Sequence, residues 1–179
     1  MGTHKLLVAL LLLLLLIGLC QSAFYYPQLP DRVANNFDID GHPNGYSSKL
    51  SHIVLMTGIQ CAMVILPIGF GLTSRLLPTQ IINLPNRNYW LAPERKDESL
   101  RKIVTALYIV AVVTQIFLIS IHQLVIMENL GKNGMQGFWW FFSAYMAFMI
   151  GFVIWISIRF RLPAGVRQSI QDKETSNQN

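Results

Sequence analysis

Charged side chains are scarce in this sequence and absent from long parts of it. Only 13% of the 179 residues are Asp, Glu, Lys or Arg, which is about half the share usual in soluble domains. Four runs of 25 or 26 residues contain none of them, at 6–30, 50–74, 103–127 and 133–158. A helix in water needs a polar face along its length. These runs therefore exclude an ordinary soluble protein and predict an integral membrane protein.

Signs of chemistry are also missing. The two cysteines, Cys20 and Cys61, lie in or near the apolar runs and lack the spacing of a metal or redox motif. The sequence has no phosphate-binding Gly-Lys-Ser/Thr loop, no His-Glu-x-x-His and no Gly-x-Ser-x-Gly. No ionised residue lies deep in an apolar run, where proton pumps and ion-coupled transporters carry them. We therefore expect no enzyme and no cofactor, and active transport is disfavoured.

The apolar runs are long enough to cross a bilayer as helices. They predict an all-α integral membrane protein with transmembrane helices at 6–26, 51–74, 103–127 and 138–158, and with a small extracytoplasmic cap between the first two. The connecting segments are the N-terminus (1–5), the cap (27–50), a cytoplasmic loop (75–102), a short outer loop (128–137) and a tail (159–179) that is expected to be disordered from 168 onward.

The first helix has two interpretations. The Leu-rich run 6–19 has the length of a signal-peptide core, and a cleavage site after Ser22 is compatible with it. The run ends in Phe24, Tyr25 and Tyr26, which suit the interfacial end of a retained anchor. The aromatic end favours the anchor, with a cleaved signal as the alternative.

Basic residues are unevenly distributed between the loops. Of the 14 Lys and Arg residues, 11 lie in the N-terminus, the 75–102 loop and the tail, and 3 lie in the cap and the 128–137 loop. The positive-inside rule therefore predicts a multi-pass plasma-membrane protein with both termini in the cytoplasm. The net charge of +5 follows from this topology and from attraction to lipid headgroups. The lipid bilayer is thus the expected partner, and nucleic acid is not.

The cap carries several turn signals. Residues 32–39 suit a short strand, and Asp40-Gly41 and Asn44-Gly45 are turn dipeptides. The spacing Asn36-x-Asp38-x-Asp40-Gly41 is that of a calcium loop, but the first ligand is not Asp and the twelfth position is not Glu. A turn is therefore favoured over a calcium site, and no metal is predicted here.

The cap string LPDRVANNFDIDGHPNGYSSK resembles the N-terminal domain of a bacterial membrane family known as domain of unknown function 1648. The string NLPNRNYWLAPERKDESL at 83–100 resembles the next stretch of these proteins. The cap departs from the family at Asn36, where many relatives carry His. We take the candidate functional residues of the cap to be Leu29, Pro30, Phe37, Asp38, Asp40, Gly41, Pro43, Asn44, Gly45 and Lys49.

The best-known relatives of this type are the SdpI-type immunity proteins. They lie in the plasma membrane, protect a bacterium from its own secreted peptide toxin and can hold a transcriptional regulator at the membrane. They usually have more membrane spans than the four predicted here. The resemblance implies a peptide toxin at the outer face and a cytosolic regulator as expected partners.

Two further groups of residues are candidates. Asn86, Arg87, Tyr89 and Trp90 could form a cytoplasmic docking surface, although an aromatic anchor at the lipid boundary is the commoner role. His52, His122, Gln123 and Glu128 all fall near the outer ends of predicted helices. The two histidines could bind a metal or sense pH, but such groups more often form hydrogen bonds between helices.

Together these features predict a non-enzymatic membrane protein that takes part in toxin-peptide immunity or in membrane signalling. An accessory subunit of a membrane complex, or a small transporter, is the alternative.

Overall fold

The computed structural model describes residues 2–168. Its main elements are one hairpin and the helices around it: α1 (Thr3–Tyr25), β1 (Arg32–Phe37), β2 (Pro43–Ser48), α2 (Lys49–Thr73), α3 (Arg87–Trp90), α4 (Lys96–Asn129) and α5 (Phe138–Arg159). Residues 164–168 are helical as well. Single 3-10 turns lie at Tyr26–Gln28, Thr79–Ile81 and Gly134–Gly137. Apart from residue 168, the predicted disordered segment 168–179 lies outside the described residues.

Four of these helices, α1, α2, α4 and α5, are long and apolar enough to cross a membrane. The small two-stranded sheet lies between α1 and α2, which confirms the predicted fold class. At 34 residues, α4 is about 50 Å long and exceeds the roughly 30 Å of bilayer hydrocarbon. Its extra turns begin at Lys96 and carry Asp97 and Glu98 in the first turn, where negative charge is favourable.

The long helix α4 is the centre of the bundle. It contacts α1, α2, α5 and strand β1, and 11 of its residues are buried. In contrast, α5 packs on α4 and has no buried residue. An apolar core joins α1, α2 and α4 through Leu11, Val64, Val104, Tyr108, Ala111 and Val112. Since α1 and α4 end where α2 begins, we call that end of the bundle the cap end and the other the loop end.

The cap is an antiparallel hairpin, and one of its two predicted turns is confirmed. Asn44-Gly45 lies inside β2, with Gly45 opposite Asn36, so the prediction of a turn there is wrong. The chain reverses at 38–42, as the predicted Asp40-Gly41 turn requires: Gly41 has φ 86°, and the Asp38 Oδ1 atom accepts hydrogen bonds from the backbone N–H groups of Asp40 and His42. Gly45 is needed because a Cβ there would collide with the Asn36 side chain.

The Asn129 side chain joins the hairpin to α4 by two hydrogen bonds. The Asn129 Nδ2 atom donates to the Ala34 carbonyl at 2.9 Å, and its Oδ1 atom accepts from the Ala34 N–H at 2.8 Å. The amide thus pairs with strand β1 as a neighbouring strand would. Below it, Val33 and Leu29 pack against Ile126, which anchors the hairpin over the cap end.

Candidate functional site: a pocket and a buried polar layer at the cap end

A cavity of about 500 Å³ opens between the hairpin turn and the cap-end parts of α2, α4 and α5. We call it the cap pocket. One part of its wall is acidic, with Asp38, Asp40 and Glu128. The apolar and aromatic part of the wall comes from β1, the hairpin turn, α2, α4, the 3-10 turn at Gly134–Gly137 and α5: Phe37, Ile39, Met56, Ile121, Val125, Met135, Phe138 and Trp139. Polar side chains complete the lining: Asn35, Asn36, His42, Asn133 and Gln136.

The acidic wall is exposed and partly engaged in holding the turn. The ligand atoms of Asp38, Asp40 and His42 lie within 4.8 Å of one another, and all three residues are exposed. The Asp38 Oδ2 atom lies 3.7 Å from His42 Nδ1. Glu128 accepts a hydrogen bond from the Met135 N–H at 3.0 Å, through Oε2. The Asp40 carboxylate forms no ion pair with any described residue, so it is available to a cationic ligand.

Other predicted cap residues support the hairpin from below. Leu29 is buried in the core beneath it. The Lys49 Nζ atom lies 2.9 Å from Asp31 Oδ1 and 5.5 Å from the centre of the Tyr26 ring. The hydrogen bond from Lys49 holds the pKa of Asp31 below its ordinary value. Leu29 and Lys49 therefore position the cap and do not line the pocket.

A layer of buried polar side chains lies within the bundle near this pocket. His52 on α2 and His122 on α4 are 1% and 0% exposed, and their ring centres are 5.2 Å apart. Further from the cap, Gln60 and Gln115 are equally buried, and Gln115 Nε2 donates to the Gln60 carbonyl at 3.3 Å. Both ring nitrogens of each histidine lack a hydrogen-bond partner within residues 2–168.

The predicted outer polar cluster is thus divided. The structure brings the two histidines together, but it engages Gln123 and Glu128 elsewhere. Gln123 accepts a hydrogen bond from Gln21 at 2.7 Å and donates one to the Tyr25 hydroxyl at 3.2 Å. These contacts tie α4 to α1.

The predicted docking residues lie at the loop end and bind to the chain itself. Asn86 Nδ2 and Trp90 Nε1 both donate to the Phe160 carbonyl, at 3.0 and 2.9 Å. This carbonyl follows the last turn of α5, where helix carbonyls lack intrahelical partners. Arg87 donates to the Gln80 carbonyl, and the Arg95 guanidinium lies 4.1 Å from the centre of the Tyr89 ring. These residues hold the loop against the bundle.

Sequence reasoning missed several residues of the site. Ser22 and Gln21 on α1 carry buried oxygens without partners in the described chain. The sequence feature that could have revealed them is the occurrence of two neighbouring polar residues near the end of an apolar helix. The apolar wall of the pocket had no such signal, because Met56, Ile121 and Phe138 look like lipid-facing residues until the helices are assembled.

Comparison with known proteins gives one match. Residues 11–61 match a protein family described as a domain of unknown function, DUF1648. No curated protein and no solved structure matches the chain significantly. The matched segment comprises most of α1, the whole cap and the first half of α2. The resemblance to this domain of unknown function is therefore confirmed for residues 11–61.

Proposed function

We propose that this protein is a non-enzymatic, multi-pass membrane protein that binds a cationic, amphipathic peptide in the cap pocket. The observation that carries the proposal is the composition of the pocket wall, in which three acidic residues line the same cavity of about 500 Å³ as aromatic and aliphatic side chains. Binding of a membrane-active toxin peptide there would provide immunity, and a cytosolic regulator would receive the signal.

Charge favours a cationic ligand. Asp38, Asp40 and Glu128 line the pocket, and no Lys or Arg does. A concave acidic wall concentrates field lines and attracts cations. Because the pocket lies at the end of the helices, the adjacent hydrocarbon lowers the effective dielectric and strengthens this attraction.

The apolar wall favours an amphipathic ligand over a simple cation. Ile39 is 75% exposed and Trp139 is 49% exposed. A peptide helix with one basic and one apolar face would satisfy the carboxylates and cover these side chains together, as in helix-in-groove recognition. The distribution of basic residues supports a cap outside the cell and both termini in the cytoplasm, which is the side a secreted peptide reaches.

Binding can be measured with the full-length protein in nanodiscs of neutral lipid. The probe is a 20-residue amphipathic Lys/Leu peptide, and its Lys→Gln analogue tests the role of charge. The intrinsic fluorescence of Trp139 reports occupancy, and Trp139→Phe identifies that signal. We expect the D38N/D40N variant to bind the Lys/Leu peptide about tenfold more weakly, because close charge pairs across interfaces are coupled by more than about 1.4 kcal/mol.

Asp31→Asn is the matched control, because it removes a cap carboxylate outside the pocket. It should bind like the unmodified protein. Equal affinity of D38N/D40N, or equal affinity for the Lys→Gln analogue, would overturn the proposed site. In cells, the protein should protect a sensitive bacterium against a panel of cationic peptides. Unchanged sensitivity, together with stable co-purification with one large complex in mild detergent, would favour the accessory-subunit alternative.

A further inference from the structure

Two cavities at the loop end share the residues Arg87 and Asn88. Their volumes are about 470 Å³ and about 280 Å³, and they lie at the opposite end of the bundle from the cap pocket. We propose that they form a binding site for the phosphate headgroup of an anionic phospholipid, with Arg87 as the main ligand of the phosphate. This site is independent of peptide binding at the cap.

Arg87 has unused hydrogen-bonding capacity. A guanidinium carries five N–H donors in a planar fork, and one of them donates to the Gln80 carbonyl at 3.1 Å. The residue is exposed and forms no ion pair within residues 2–168. The bond to Gln80 therefore orients the fork, and the remaining donors are free to bind the oxygens of a phosphate, which match the fork in geometry and in charge.

The rest of the lining supplies further donors and no negative charge. Asn83 and Asn88 line the larger cavity, and their side-chain amides form no hydrogen bond with the described part of the chain. Thr79 and Gln80 line the smaller cavity. No described Asp or Glu lines either cavity, whereas the cap pocket has three acidic residues in its wall. The loop-end site therefore favours an anion.

The position of the site along the bundle favours a lipid over a free anion. Trp90 of α3 donates to the Phe160 carbonyl at 2.9 Å, so α3 lies level with the end of α5. The charge-free run of α5 ends at Ile158, and lipid headgroups lie where such a run leaves the hydrocarbon. Leu84 and Leu162 also line the larger cavity and offer apolar contacts to the part of a phospholipid next to its phosphate.

The charge of the loop end attracts anionic lipid to this site. Its described segments, 2–5, 74–102 and 159–168, contain ten Lys or Arg residues and three Asp or Glu residues. Two of the three acids, Asp97 and Glu98, are paired with Arg75 and Lys102. The remaining excess of positive charge raises the local concentration of anionic headgroups.

The test uses the full-length protein, stripped of lipid in mild detergent, and counts bound lipids by native mass spectrometry. Phosphatidylglycerol is titrated in parallel with zwitterionic phosphatidylcholine. We expect the first phosphatidylglycerol to bind at least about fivefold more tightly than phosphatidylcholine, because only the former carries a net negative charge. Bound lipid should also raise the Tm of the protein, since a ligand of the folded state stabilises it.

Arg87→Gln should weaken phosphatidylglycerol binding about tenfold, because it removes charge-assisted hydrogen bonds. Arg87→Lys should fall between the two, because it keeps the charge but loses the planar fork. Asn88→Ala should weaken binding about threefold, since it removes one neutral donor. The Asn88 amide has no partner in the described chain, so this variant should fold even if Arg87→Gln does not.

Arg75→Gln is the matched control, because it removes the same charge at the same end but outside both cavities. It should bind phosphatidylglycerol like the unmodified protein. An equal loss in Arg75→Gln would replace the site by a general effect of charge and overturn the proposal. Unchanged affinity of both Arg87→Gln and Asn88→Ala would also overturn it. Displacement of the lipid by millimolar inorganic phosphate would contradict the assignment to a lipid and identify a site for a free anion.

Discussion

The two ends of the bundle differ in whether their buried polar groups have hydrogen-bond partners. At the loop end, the Ser99 hydroxyl donates to the Trp90 carbonyl at 2.7 Å, and Trp90 donates to Phe160. At the cap end, the hydroxyl of Ser22 and the rings of His52 and His122 have no partner among the described residues. Satisfied groups stabilise a structure, whereas unsatisfied ones cost stability and persist where they serve binding. The polar groups of the loop end therefore stabilise the bundle, whereas the unpartnered polar groups of the cap end cost stability.

The largest expected effect concerns two glycines, one at each end. A Cβ at Gly134 would collide with the backbone carbonyl of Leu124, whereas one at Gly71 would meet the hydroxyl of Tyr108. Gly134→Ala should lower the free energy of unfolding by about 3 kcal/mol and Gly71→Ala by about 1 kcal/mol, because a side chain can move and a helix backbone cannot. Unfolding by SDS in mixed micelles, followed by circular dichroism, measures both.

Gly58→Ala is the control, since a Cβ there has nothing within 4 Å and alanine favours the helix. Its unfolding free energy should not fall. Equal losses of unfolding free energy at Gly134 and Gly71 would contradict the argument that the backbone of Leu124 cannot move aside whereas the side chain of Tyr108 can.

Ser99 and Ser22 test directly whether buried polar groups stabilise the loop end more than the cap end. The expected change in the free energy of unfolding is intermediate in size. Ser99→Ala removes a satisfied hydrogen bond at the loop end and should cost about 1–2 kcal/mol. Ser22→Ala removes a buried hydroxyl that has no described partner and should leave stability unchanged or slightly increased. The same SDS titration applies to both variants. If Ser22→Ala cost as much as Ser99→Ala, the distinction between the two ends would fail.

The smallest effect concerns an exposed ion pair at the cap end. The hydrogen bond from Lys49 keeps the pKa of Asp31 below its ordinary value of 3.8. The carboxylate therefore stabilises the fold above pH 3.8, and this contribution is lost as the pH falls through the lower folded value. Asp31→Asn should remove this acid-dependent loss and change little at pH 7, because exposed pairs contribute little.

Thermal unfolding between pH 2 and 7 measures this effect. The control is Asp97→Asn at the loop end, where the contact with Arg75 is longer, at 3.9 Å. A pH profile of Asp31→Asn identical to that of the unmodified protein would show that Lys49 does not act through this carboxylate.

The sequence predicts the membrane helices well because hydrocarbon excludes charge, and the charge-free runs mark them directly. It predicts β1 but not β2, since Asn44-Gly45 is typical of a turn while the structure uses Gly45 to admit the Asn36 side chain across the sheet. Local pattern cannot reveal a contact between strands.

The site was predictable only in part, for a similar reason. His52 and His122 meet because both lie near the cap ends of neighbouring helices. Gln123 follows His122 by one residue, which turns it about 100° around the helix towards Tyr25 on α1. The pocket's aromatic wall depends on how α5 packs on α4, which no single segment encodes.

The central position of α4 also constrains the order of assembly during synthesis. The polar residues His52 and Gln60 on α2 are covered by α4 in the finished bundle, but the ribosome makes α2 some fifty residues before α4 is complete. Until then the Gln60 side chain can lie against Gly18 of α1, but His52 lacks the helix that covers it, and lipid is a poor environment for an imidazole. Stable burial of His52 therefore has to wait for α4, the last-made of the three helices that form the core.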